Sequence, residues 1–243
     1  MGLNCIRTPW NNFPPIRVLY PNGTLKKDNE PLYLQAKSGD VTAAFKLLFQ
    51  NVLKEADIYQ FGNEYFNSNP ILVPVLAEEH LGKNRIPAVF AQILSGYLGF
   101  EVSNDIVQTV KANHTNANAY ERIVRQAMFD GYVESNRNYI ILDDTVSMGG
   151  TLAALRGYIE SKGGKVILGM ALTGYQNLDI VPLEKTLNAV KIKHPQLVEW
   201  WPNEFGFPLD QLTQGELGHF KKPDSFDIIR DRLIEAGLQV SDG

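Results

Sequence analysis

The sequence predicts an α/β fold: a parallel sheet flanked by helices, with a smaller attachment assembled from both chain ends. Three observations predict it. The runs Ile71-Leu72-Val73-Pro74-Val75 and Tyr139-Ile140-Ile141-Leu142 have the length and fully apolar make-up of strands buried on both faces. Segments with helical hydrophobic spacing stand between such runs. Gly163-Gly164 joins a helix to the next strand, as such units do at a helix C-terminus. The core is expected over 56–175, with 1–55 and 176–243 as the two attachments.

Taken in order, Pro9, Pro14, Pro15, Pro21 and Pro31 discourage regular helix near the start. Ile16 to Tyr20 can form one short strand, ended by the turn Pro21-Asn22-Gly23. Leu32 to Lys54 reads as helix, through Ala43, Ala44, Leu47, Leu48 and Val52. A break at Ser38-Gly39-Asp40 leaves Ser38 or Asp40 to cap its second part. Pro87 stands where a helix over Ala88–Leu98 should begin. Phe100-Glu101-Val102 is a short strand, and Ala119–Phe129 reads as helix after a polar loop at 113–118. Thr151–Lys162 is a helix and Lys165–Leu172 a strand. Beyond Thr173 the pattern loosens, with Trp200, Trp201, Phe205 and Phe207 among prolines. The last helix is expected at Phe226–Ala236, capped by Asp224 and stopped by Gly237.

Composition narrows the function classes. The 243 residues are 44% hydrophobic and 21% charged, enough for a full core. With 23 basic against 27 acidic residues the net charge is −4, so direct nucleic-acid binding is not expected without a local patch. The single Cys5 excludes a disulfide framework and a cysteine zinc site. No apolar run approaches the roughly 18 residues of a membrane span, and the N-terminus does not read as a signal peptide. The expectation is a cytoplasmic protein without a membrane partner. His80, His114, His194 and His219 are too scattered to suggest a metal cluster.

One stretch carries chemistry: the strand Tyr139–Leu142, then Asp143-Asp144-Thr145-Val146-Ser147-Met148-Gly149-Gly150-Thr151, running into a helix. A buried strand delivers two carboxylates to its C-terminal edge, where open α/β sheets bind ligands. The glycines let backbone N–H groups approach a ligand, and the helix start adds unsatisfied donors and partial positive charge. Together they suit a phosphate. Carboxylates so near a phosphate site repel the anion unless they face hydroxyls or a divalent cation. A sugar phosphate meets that condition.

Asp143 to Thr151 resembles the phosphoribosyl-diphosphate (PRPP) loop of the type I phosphoribosyltransferases, closest to the adenine-type enzymes and the competence-type phosphoribosyltransferase-like proteins. The resemblance implies a type I-like sheet with a variable hood from the chain ends. It gives Asp143 and Asp144 the ribose hydroxyls. It gives the 5-phosphate to the amides of Thr145, Val146, Ser147, Met148, Gly149, Gly150 and Thr151, with the hydroxyls of Ser147 and Thr151. Mg2+ would arrive on the oxygens of PRPP, with no metal ligand from the protein itself. Met148 stands where the family usually has Thr, which removes one side-chain contact. Ser147 stands where some purine enzymes carry an acid, and a hydroxyl is no comparable general base.

The other parts follow by position. The family's diphosphate loop falls at 76–85, where Lys83 and Arg85 would neutralise diphosphate while Glu78 and Glu79 oppose it; its usual small glycine-rich turn is missing. The mobile catalytic loop falls at 108–137, with Lys111 as the cation closing over the leaving group and Arg122 and Arg125 nearby. Tyr175, Trp200 and Trp201 are the hood aromatics for stacking an acceptor, with Phe205 and Phe207 beside them. The leading expectation is a phosphoribosyltransferase that moves ribose 5-phosphate from PRPP to a small nitrogenous acceptor and releases diphosphate. The alternatives are a regulator that binds PRPP or a nucleotide without turnover, and a phosphoribosyltransferase-like partner in DNA uptake or processing. A homodimer is compatible with each.

Overall fold

The computed structural model describes residues 5–79, 82–109, 118–175 and 179–241. Strand β1 (Arg17–Pro21) leads to α1 (Glu30–Lys37) and α2 (Val41–Phe45), and α2 runs on through a wide π-helical turn at Lys46–Val52. The break between α1 and α2 lies at Gly39, with φ +118°, and Asp40 caps α2 by accepting the Ala43 N–H at 2.9 Å. Helix α3 (Glu55–Tyr65) precedes β2 (Ile71–Pro74). The two-residue strands β3 (Glu78–Glu79) and β4 (Gly82–Lys83) form a small antiparallel ladder. Helix α4 (Ile86–Leu98) takes Pro87 into its first turn and ends at Gly99 in the left-handed region. After β5 (Glu101–Val102), β6 (Val107–Gln108) pairs antiparallel with β7 (Phe129–Asp130), and α5 (Ala119–Val124) lies between them in sequence.

Then β8 (Asn138–Val146), α6 (Gly150–Ser161) and β9 (Lys165–Gly174) follow, and α7 (Glu184–Lys193), α8 (Pro195–Phe205), α9 (Gln214–Gly218) and α10 (Phe226–Ser241) complete the described residues. The main sheet has five strands in the order β1-β9-β8-β2-β5, and its paired neighbours all run parallel. From β2 the chain crosses outward to β5, whereas from β8 it crosses the other way to β9. The winding therefore reverses between β2 and β8, which opens a crevice beyond their carboxyl ends.

Alternation along β8 divides the core. Ile140 and Leu142 face a cluster with Leu47, Phe61, Phe90 and Leu94 from the helices of one side. Tyr139 and Ile141 face Leu152, Leu155 and Ile159 of α6 on the other. A third cluster, around Trp201, Leu197, Phe207 and Phe220, holds the C-terminal helices together.

Several expectations change. Helix α5 ends at Val124, because Arg125 at ψ +66° leaves the helical region and Phe129 joins a ladder. Strand β8 runs on to Val146, as Thr145 and Val146 stay in register with Thr173 and Gly174. The stretch after Thr173 is largely helical: Pro195 fits the first turn of α8, while Leu197, Trp201 and Phe205 recur every four residues on one helix face. Helix α10 passes through Gly237 to Ser241, and Ser225 rather than Asp224 accepts the Ile228 N–H at 3.4 Å. Residues 1–55 also contribute β1 to the main sheet.

Candidate phosphate and sugar site

A cavity of about 510 Å³ lies at the crevice, and every residue from Asp143 to Leu152 lines it. Because Thr145 and Val146 belong to β8, the turn proper is Ser147-Met148-Gly149, with Gly149 at φ +82° immediately before α6. That conformation suits glycine. Gly150 is tight for a different reason: a Cβ there would lie 2.6 Å from Glu216 Oε1. The start of α6 thus presents backbone donors to the cavity, an arrangement that attracts an anion.

The C-terminal helices hold this turn from behind. Thr213 Oγ1 donates to the Met148 carbonyl at 2.6 Å and also caps α9. Glu216 accepts from Arg7 at 2.9 and 3.2 Å, both side chains buried, and both residues line the cavity. Desolvation works against the Arg7 charge, but Glu216 outweighs it and holds the guanidinium above its usual range. On the open side, Arg122 of α5 donates to Ser147 Oγ at 3.4 Å, which places a cation over the turn.

The two carboxylates differ sharply. Asp144 is buried; its Oδ2 accepts from Lys37 Nζ at 2.7 Å and from Asn84 Nδ2 at 3.0 Å. Asp143 is half-buried, and its Oδ1 accepts the Asp144 N–H at 2.8 Å. Burial, and then the neighbouring Asp144 charge, push the Asp143 carboxyl well above the usual carboxylate range. Burial also pushes Asp144 up, but the Lys37 ammonium and the donors from Lys37 and Asn84 prevail and hold it low. Asp144 is the settled anion. Both carboxyls line the cavity, and Asp143 is the more exposed of the two.

Lys37 and Asn84 carried no signal as site residues, and packing explains how they meet. The Arg85 N–H donates to the Ala36 carbonyl at 3.1 Å, which ties the segment after β4 to the end of α1. Asn84 Oδ1 accepts the Ile86 N–H at 3.1 Å at the start of α4, which aims its amide at Asp144.

The remaining expected residues fall elsewhere. Lys83 is exposed on β4, and neither it nor Arg85 lines the cavity. Trp201 is fully buried, stacked on Phe205 at 4.0 Å, and Trp200 packs edge-on to Phe205 and Phe226, so these rings build the C-terminal core. Tyr175 is exposed outside the cavity. The aromatic that does line it is Tyr33 of α1, with Leu34 beside it. Arg122 and Arg125 both line the cavity. Lys111, His80 and His114 lie outside the described residues.

The site is an α/β crevice lined by a glycine-containing turn, a helix start and a carboxylate pair in unequal environments. No family model matches the chain. It is 41% identical over 233 residues to the protein TraN of Escherichia coli, covering 95% of this chain and 51% of that protein. It is also 41% identical over 131 residues to an uncharacterized protein of Haemophilus influenzae, covering 54% of this chain and 29% of that one. The chain therefore spans about half the length of TraN and under a third of the second relative. Among solved structures it resembles an adenine phosphoribosyltransferase of Rhodothermus marinus, at 16% identity over 57% of this chain and 75% of that one, TM-score 0.37. It also resembles a hypoxanthine phosphoribosyltransferase of Staphylococcus aureus, at 18% identity over 51% of this chain and 67% of that one, TM-score 0.36. No helix among the described residues is long and apolar enough to cross a membrane.

Proposed function

We propose that the cavity binds a phosphoribosyl compound and that the chain is a phosphoribosyltransferase using PRPP as donor. One observation carries this reading: the Asp143–Asp144 pair, the Ser147–Gly149 turn and the start of α6 all face one cavity. The 5-phosphate would lie on the turn and the helix end, with Arg122 across it, and the ribose hydroxyls would meet Asp143. Catalysis would rest on positioning and on charge stabilisation of the departing diphosphate, without a covalent protein nucleophile. Tyr33 and Leu34 offer an apolar wall to a nitrogenous acceptor.

A second reading, binding without turnover, is favoured by the placement of the expected catalytic parts. Lys83 and Arg85 do not line the cavity, Trp200 and Trp201 are spent in the C-terminal core, and Tyr175 is exposed outside the cavity. Magnesium is a poor fit to the protein's own donors. Asp144 Oδ2 already takes an ammonium and an amide, and no group of three or more metal-binding side chains occurs among the described residues.

Titration calorimetry with PRPP and with ribose 5-phosphate tests the site, followed by diphosphate release across a panel of bases. Binding with release supports transfer, and binding without release supports the second reading. Absence of binding to both sugar phosphates overturns both. Asp143→Asn with Asp144→Asn should abolish binding.

A further inference from the structure

The geometry points to Lys37 as a built-in cation for the carboxylate pair, so that the site takes its sugar phosphate without a divalent metal. The inference rests on the phosphoribosyl reading for its ligand but not for its cation. Two adjacent carboxylates beside a phosphate subsite need positive charge, since otherwise they repel the ligand they are meant to hold. Here that charge comes from the chain. Lys37 Nζ is 2.7 Å from Asp144 Oδ2, and the two side chains are only 12% and 6% exposed. Asn84 Nδ2 takes the same oxygen at 3.0 Å.

The ammonium is held in place. Its helix is tied to the Asn84 segment by the Arg85–Ala36 backbone bond, and its charge lies 5.9 Å from the Tyr33 ring. A divalent ion at the pair would stand against this ammonium in a poorly solvated pocket, where like charges repel strongly. Removing the ammonium should therefore open the pair to metal. Keeping it should leave binding indifferent to metal.

The experiment is calorimetry of ribose 5-phosphate with the whole chain, once in chelator and once in magnesium, alongside Lys37→Met and Lys37→Arg. The wild type should bind equally in both, within about twofold. Lys37→Met should bind at least about tenfold more weakly in chelator and regain affinity with magnesium, while Lys37→Arg keeps the metal-indifferent behaviour. A wild-type affinity that rises about tenfold or more with magnesium overturns the assignment.

Paramagnetic resonance of Mn2+ titrated into the protein without sugar phosphate gives a second readout, which also serves if Lys37→Met does not fold. Wild-type protein should show no bound Mn2+ that Asp143→Asn removes, and such a signal overturns the assignment. Failure of ribose 5-phosphate to bind in either buffer sinks the phosphoribosyl reading instead, and the Mn2+ titration then decides the cation.

Discussion

Arg7 and Glu216, 209 residues apart in sequence, form a buried two-pronged ion pair whose Glu216 oxygen stands where a side chain on Gly150 would have to be. N-terminal and C-terminal parts of the chain are thereby fastened against the turn that lines the cavity. Glu216 also accepts the Thr213 N–H at 2.8 Å, so one carboxylate serves the ion pair and the cap of α9. Glu216→Gln should lower stability by about 3–5 kcal/mol, because it leaves the Arg7 guanidinium buried without its counter-charge. Urea denaturation measures this, and a loss below about 1 kcal/mol would place the anchoring elsewhere.

Gly157 lies within α6, where alanine is ordinarily better by about 1 kcal/mol. A Cβ there would come 2.1 Å from the Ile6 carbonyl oxygen, since the N-terminal segment crosses the helix at that point. Gly157→Ala should therefore destabilise by about 1–3 kcal/mol. In α4, Gly96 has nothing within 4 Å of the Cβ position, so Gly96→Ala should stabilise by up to about 1 kcal/mol. Thermal melts of the two variants should move in opposite directions.

The carboxylate pair makes a pH prediction with a definite sign. Asp143 holds its proton to higher pH in the folded chain than in the unfolded one, because of burial and then the Asp144 charge. Its contribution to stability is complete below about pH 4, the ordinary carboxylate value, and is lost as pH rises through the folded value. Asp143→Asn should thus raise the melting temperature at neutral pH, with the gain shrinking as pH falls toward 4. Asp144, held low, has the opposite sign: its stabilisation is present above the ordinary carboxylate value and is lost as pH falls through its folded value. Asp144→Asn should destabilise at neutral pH. Melting curves between about pH 4 and 8 check both, and parallel curves for Asp143→Asn and wild type would remove the assigned environment.

Arg122 reaches Ser147 Oγ from α5 and is half-buried. Arg122→Ala should weaken ribose 5-phosphate binding about tenfold, the lower end for a charge-assisted contact, since a part-exposed cation is screened. The salt dependence of binding should flatten as well. Calorimetry at two ionic strengths tests it, and unchanged affinity would remove Arg122 from the phosphate site.

Much of the frame was legible in the residues. The apolar runs at 71–75 and 139–142 became the central strands, Pro87 opened α4, and Asp40 proved to be the cap of α2. The carboxylate–turn–helix order from Asp143 to Thr151 was readable because strand end, left-handed glycine and helix start are local and consecutive. The C-terminal helices were harder to read: Pro195 and Pro202 argue locally against helix, while the four-residue spacing of Leu197, Trp201 and Phe205 pays off only once other helices cover it.

What the sequence alone determined is the alternation of strands and helices and the place of the acid pair at a strand's carboxyl end, since both follow from periodicity and local backbone preference. Only the tertiary structure decided which charges meet that pair. It set Lys37 and Asn84 against Asp144, Arg7 against Glu216, and Trp201 inside the C-terminal core rather than over the cavity. The physical reason is that spacing specifies which face of an element is buried. Which distant side chain shares the burial depends on how the elements pack, and here that packing holds one of two adjacent aspartates low and pushes the other up.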